Sequence, residues 1–172
     1  MNTGSKKQGL SRRSTTGKGL RFALVVSRFH PTITGRLQKG AEQCLAHHGV
    51  RKNDIEVFMC PGAFELPQVA NLLCETGEFH AVVCLGAVIR GETPHFEYVA
   101  SESARGIQSV ALQHELPVTF GVLTTDTLDQ AFDRAGGNQG NKGWDAAAAA
   151  LEMASLFRSL KRRTGGLTVD EK

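Results

Sequence analysis

No two cysteines in this chain have C-x-x-C spacing, and no histidine stands at zinc-finger distance from one. Cys44, Cys60, Cys74 and Cys84 lie well apart inside apolar stretches, so they read as reduced core thiols. Neither a disulfide framework nor a metal site is expected. No apolar run reaches the length that spans a bilayer, and the N-terminus has no apolar segment of the kind that directs secretion. A protein of the cytoplasm with no membrane partner is therefore expected. Acidic residues are missing from the first 20 positions, which carry Lys6, Lys7, Arg12, Arg13 and Lys18. Setting those five cations aside from the formal charge of +3 leaves the rest of the chain at −2. The body thus lacks the positive balance of a nucleic-acid binder, and no nucleic-acid partner is expected. Residues 1–19 read as a disordered basic segment rather than an organelle transit peptide. No G-x-G-x-x-G follows the first apolar run and no G-x-x-x-x-G-K-[ST] occurs, which argues against dinucleotides and against a P-loop.

What is present is an alternation of short apolar runs with helical spacing across a chain of 172 residues, enough for one domain with a real core. Strands are predicted over Arg21–Ser27, Ile55–Cys60, Ala81–Ile89 and Pro117–Leu123. Helices are predicted over Thr32–His48, stopped by Gly49, then over Glu65–Glu75, Pro94–His114, Asp126–Ala135 and Asn141–Leu160. The last two are separated by a glycine turn, Gly136–Gly140. Thr127 and Gln130 have capping-box spacing, and Thr93 followed by Pro94 reads as N-cap and first helical residue. The domain spans 20–160, and residues 161–172 are expected to fray. Alternation of this kind specifies an α/β three-layer sandwich around a four-stranded parallel sheet, flavodoxin-like, with ligands gathering beyond the carboxyl ends of the strands.

Four such ends can be read off: Ser27–His30, Cys60–Glu65, Arg90–His95 and Leu123–Asp126. They offer an aromatic, a glycine turn, an anion turn followed by a histidine, and hydroxyls, and all four are expected to converge on one crevice. The free N–H groups ahead of His95 favour an anion, and the imidazole is placed to move protons near neutral pH. Each residue also has a plain reading. Phe29 alone suits the core, Glu65 suits a helix N-terminus, and Arg134 and Lys142 suit solvated helix ends.

The ordered set S-R-F-H, P-G-A-F-E-L-P, L-G-A-V-I-R-G-E-T-P-H-F-E-Y-V, F-G-V-L-T-T-D-T and R-A-G-G-N-Q-G-N-K-G resembles the 6,7-dimethyl-8-ribityllumazine synthases over about residues 20–158. The resemblance implies a transferase acting in the penultimate step of riboflavin synthesis. It would condense 5-amino-6-ribitylaminouracil with 3,4-dihydroxy-2-butanone 4-phosphate, releasing phosphate and water, with neither metal nor organic cofactor.

By the same resemblance, Phe29 stacks on the pyrimidine, and backbone around Gly62, Ala63, Val88 and Ile89 binds its polar edge. Glu65 holds the ribityl hydroxyls, and His30 and Phe64 join the substrate-binding set. Gly91, Glu92 and Thr93 hold the phosphate together with Arg134 of a neighbouring subunit. His95 shuttles protons, and Phe120 and Lys142 complete the pocket across the subunit boundary. His95, Arg134 and Lys142 form the catalytic set.

Three positions depart from the family's pattern. His30 stands where asparagine is frequent, Pro94 removes an amide from the anion turn, and Glu92 puts a carboxylate beside it, which must point away or pair with a cation such as Arg134. The resemblance further implies a homo-oligomer, a pentamer at least. The compact 136–140 turn resembles that of members that build a 60-subunit icosahedral shell, and the segment before Leu20 is expected to add an edge strand to a neighbour's sheet. A non-catalytic flavin- or lumazine-binding protein, or a purely structural shell protein, is the alternative on the same scaffold.

Overall fold

The computed structural model describes residues 16–164. Strands β1 (Phe22–Ser27), β2 (Ile55–Cys60), β3 (Ala81–Ile89) and β4 (Val118–Thr125) form one sheet, all parallel, in the order β2-β1-β3-β4. Helices α1 (Pro31–His47) and α5 (Lys142–Thr164) cover one face, and α2 (Leu66–Glu75) and α3 (His95–His114) the other. Helix α4 (Leu128–Arg134) follows β4. This is the α/β sandwich expected of a flavodoxin-like chain.

The two central strands explain why their sequences are apolar throughout. Phe22, Leu24 and Val26 of β1 and Ala81, Val83, Leu85 and Ala87 of β3 face α1 and α5. Ala23 and Val25, with Val82, Cys84 and Val88, face α2 and α3. A strand covered on both sides has no solvent face to give it alternation. Each buried Val or Leu contributes roughly 1.5–3 kcal/mol to this arrangement.

Helices α1 and α5 approach closely because two glycines let them. A Cβ on Gly143 would overlap the Leu37 carbonyl, and one on Gly40 would overlap the Asn141 side chain. Asn141 caps α5: its Oδ1 accepts from the amides of Gly143 (2.9 Å) and Trp144 (3.2 Å), while its Nδ2 donates to the Arg36 carbonyl at 2.9 Å.

Several boundaries differ from expectation for physical reasons. The Gly136–Gly140 turn is held by a small antiparallel hairpin, β5 (Ala135–Gly137) with β6 (Gly140–Asn141), since glycines at φ 103° and 74° allow so tight a return. Helix α5 runs on to Thr164, past the expected fraying point, with Lys161, Arg162 and Arg163 in its last turn, where cations offset the helix dipole. Thr93 does not cap α3. Pro94 is its N-cap, with no side-chain capping hydrogen bond. Thr127 does cap α4, accepting from the Gln130 amide at 3.2 Å. Its partner Gln130 turns to the Asp126 amide instead of closing the full box.

Residues 1–15 and 165–172, including the proposed edge-strand segment and most of the expected tail, lie outside the described residues. Within the expected disordered stretch, 16–19 belong to the fold. Gly17 is buried, donates to the His48 carbonyl at 2.8 Å, and leaves no room for a Cβ beside Val50 and Leu151. No helix among the described residues is long and apolar enough to cross a membrane.

Candidate active site

In a sheet of this order the chain leaves β1 in one direction and β3 in the other, which opens a crevice beyond their carboxyl ends. A cavity of about 490 Å³ occupies that position. Its walls come from three loops. Phe29 and His30 follow β1, Gly62, Ala63, Phe64 and Glu65 follow β2, and Val88, Ile89, Gly91, Thr93 and His95 end β3 and open α3. Eleven residues named from sequence therefore share one cavity.

Ser27 ends β1 fully buried, and the chain then turns outward. Phe29 is 67% exposed, which removes its reading as a core residue. Its ring meets that of His30 edge-on, 5.0 Å between centroids. His30 has φ 56° and ψ 59°, in the left-handed region. Histidine is among the few side-chain-bearing residues enriched there. The left-handed residue redirects the chain so that Pro31 opens α1, where its missing N–H costs nothing.

After β2, residues Ala63–Glu65 make a single 3-10 turn before α2. The Glu65 carboxylate folds back toward Gly62, where a Cβ would lie 3.0 Å from Oε2. Glycine there lets a carboxylate and bare backbone share one wall. Cys60 beneath it donates to the Gly62 carbonyl at 3.3 Å, and burial raises its thiol pKa.

The turn 91–94 is exposed throughout. Among the described residues, the amides of Gly91, Glu92 and Thr93 make no hydrogen bond within the chain. Unpaired amides ahead of a helix of 20 residues suit an anion, through their own donors and through the helix dipole. The exposed His95 begins that helix, so its imidazole and the turn are neighbours in the chain. Glu92 is exposed and does not line the cavity. No ion pair joins it to Arg134, whose guanidinium instead donates to the Gln130 carbonyl at 3.2 Å.

The fourth strand end does not join the other three. Thr124, Thr125 and Asp126 are absent from the cavity wall, because β4 is the edge strand on the far side of β3. Phe120 and Lys142 line a second depression, of about 480 Å³, between α3 and α5 over that edge. There Lys142 pairs with Asp145 at 2.7 Å. Arg134 lines neither opening. The single chain brings eleven of the expected positions together in one cavity and leaves Glu92, Phe120, Arg134 and Lys142 outside it.

Sequence reasoning overlooked Ala87, Phe96, Tyr98 and Val99 of the cavity wall. The last two were findable, since positions three and four beyond His95 share its helical face. Arg90 was overlooked as well, although it adjoins the turn, because its partners come from two other segments.

Among the described residues no group of three or more His, Cys, Asp or Glu is arranged to hold a metal ion. The cavity offers an exposed aromatic face, backbone polar groups, one carboxylate, an anion turn and two imidazoles, those of His30 and His95. That equipment suits binding a flat polar molecule beside an anionic one and moving protons between them. A family model described as 6,7-dimethyl-8-ribityllumazine synthase matches residues 19–158, nearly all of the folded chain. With that match over the same strand ends that build the cavity, the chain belongs to the 6,7-dimethyl-8-ribityllumazine synthase family.

Proposed function

We propose that this member of a riboflavin-biosynthesis family condenses 5-amino-6-ribitylaminouracil with 3,4-dihydroxy-2-butanone 4-phosphate, yielding 6,7-dimethyl-8-ribityllumazine, phosphate and water. The observation that carries the reading is the meeting of Phe29, Glu65 and His95, from three separate strand ends, around one cavity beside an unpaired anion turn. Imine formation between an amine and a ketone requires two reactants held close and a group that gives and takes protons. Orientation supplies much of the acceleration and a single histidine suffices.

In this reading the pyrimidine stacks on Phe29 near Phe64. Its polar edge meets backbone of Gly62, Ala63, Val88 and Ile89, and its ribityl hydroxyls bond to Glu65. The phosphate sits on the amides of 91–93, with the Glu92 carboxylate turned to solvent. His95 protonates the departing hydroxyl of the carbinolamine and takes the proton whose loss accompanies phosphate departure. Phosphate elimination also needs fixed positive charge on the leaving oxygens, a task suited to the planar fork of arginine.

Arg134, Lys142 and Phe120 reach the cavity only from a second subunit. The arrangement called for is a ring in which the β4 edge of one subunit faces the cavity of the next, a head-to-tail contact that closes. A pentamer of this kind, twelve of which build a 60-subunit shell, working in the cytoplasm, is the assembly we favour.

Mixing the purified protein with both substrates yields a product with the lumazine's absorbance, and His95→Ala slows its appearance by roughly ten- to a thousandfold. A wild-type protein that binds flavin tightly and yields no product would instead be a binding module.

A further inference from the structure

We propose that Arg90 is the positioning residue of the anion turn, a clasp that joins the two ends of the turn to each other and to the tip of β4. Its kinetic consequence rests on the function proposed above. Its structural consequence does not.

Within the turn only Pro94 is held, its carbonyl accepting from the Glu97 amide at 3.0 Å. Gly91, Glu92, Thr93 and Pro94 are exposed, and the three amides of 91–93 are unpaired among the described residues. Where the turn stands is therefore decided at its ends, and one side chain reaches both. The Arg90 amide donates to the Thr125 carbonyl at 2.9 Å, continuing the β3–β4 ladder past Ile89. Its Nε donates to Asp126 Oδ1 at 2.7 Å, and its Nη1 donates to Glu97 Oε1, in the first turn of α3, at 2.6 Å. The guanidinium carbon lies 4.3 Å from the centroid of the Phe96 ring, the residue next to His95. These contacts span three segments with a single planar fork, which lysine's point charge does not match.

An isolated exposed ion pair contributes little. Arg90 is 44% exposed, yet it makes two ion pairs and a ring contact at once, and the amides of residues 91–93 are unpaired among the described residues. The same fork bridges Glu97 and Asp126, whose two carboxylates share its single positive charge. Arg90 does not line the cavity, and its charge is committed to those two partners. It acts through the turn and not on the substrate.

Two kinds of variant separate this role from direct contact with phosphate. If Arg90 positions the turn, Arg90→Ala raises the KM for the phosphorylated ketone about tenfold and leaves the KM for the pyrimidine within about twofold. Arg90→Lys falls between wild type and Arg90→Ala. Glu97→Gln and Asp126→Asn move the ketone KM in the same direction as Arg90→Ala. If Arg90 gripped the phosphate itself, removing either carboxylate would free the guanidinium and lower that KM. Such a decrease, or an Arg90→Ala enzyme with unchanged KM for the ketone, overturns the proposal.

Hydrogen exchange supplies a readout that needs no turnover. The Glu97 amide, bonded to the Pro94 carbonyl, exchanges about tenfold faster or more in Arg90→Ala, while interior amides of β1 and β3 keep their protection. Unchanged exchange at Glu97 refutes the clasp even if wild type makes product. Faster exchange with an inactive wild type upholds the clasp and refutes the proposed reaction.

Discussion

His30 has the least comfortable backbone beside the cavity, since a left-handed conformation crowds the Cβ of most residues. Its strain follows from its task, which is to swing Phe29 outward while letting α1 begin at Pro31. His30→Asn should keep the urea-unfolding free energy within about 0.5 kcal/mol of wild type, while the β-branched His30→Val should lower it by about 1–2 kcal/mol. Equal losses would mean that the ring, not the backbone, matters for folding. The strain was not legible in advance, because a histidine after an aromatic carries no sign of its φ. Phe29 was legible as an aromatic but not as an exposed one, since only the outward turn after the buried Ser27 separates a cavity wall from a core ring.

Two junctions between elements invite tests. Asn141 joins α5 to α1 through one side chain, so Asn141→Ala removes an N-cap and an interhelical bond and should cost about 1–2 kcal/mol in chemical unfolding. The starts of β1 and β3 are joined through His80, whose amide donates to the Arg21 carbonyl (2.8 Å) and whose Nδ1 accepts from the Arg21 amide at 3.0 Å. That acceptor requires a neutral ring, and burial, then the Arg158 charge, hold the imidazole below its ordinary range. The unfolded chain therefore takes up this proton first. Stability is intact above the unfolded value of about 6.5 and is lost as pH falls from there through the lower folded value. Between pH 7.5 and 5, the Tm of wild type should drop further than that of His80→Gln. Parallel declines would assign the loss to other groups. The strands themselves were readable to within a residue or two, and β1 and β3 most directly, because burial on both faces writes an unbroken apolar run. The hairpin at 135–141 was not, because glycines mark a turn without saying what pairs across it.

At the scale of the molecule, the separation of Phe120, Arg134 and Lys142 from the cavity is the feature with the largest consequence. If neighbouring subunits share each site, His95→Ala and Arg134→Ala proteins are each impaired alone. Co-assembled in equal amounts they recover about a quarter of wild-type sites, those built from one intact side of each subunit. Recovery absent from co-assembled oligomers, with sedimentation verifying the mixing, would mean that each chain carries its whole site. The same experiment reports the assembly's size.

Sequence alone determined the alternation of strands and helices, their parallel arrangement and the three loops that line the cavity. Those features follow from periodicity and from turn chemistry, which are local. Only the tertiary structure decided that the fourth strand end stands apart and that one arginine clasps the anion turn. It also decided that Phe120, Arg134 and Lys142 lie outside the cavity. Each of these depends on distances between segments far apart in the chain, where β4 sits at the sheet edge and Arg90 reaches Asp126. No local pattern encodes such distances, because they are set by how the layers pack.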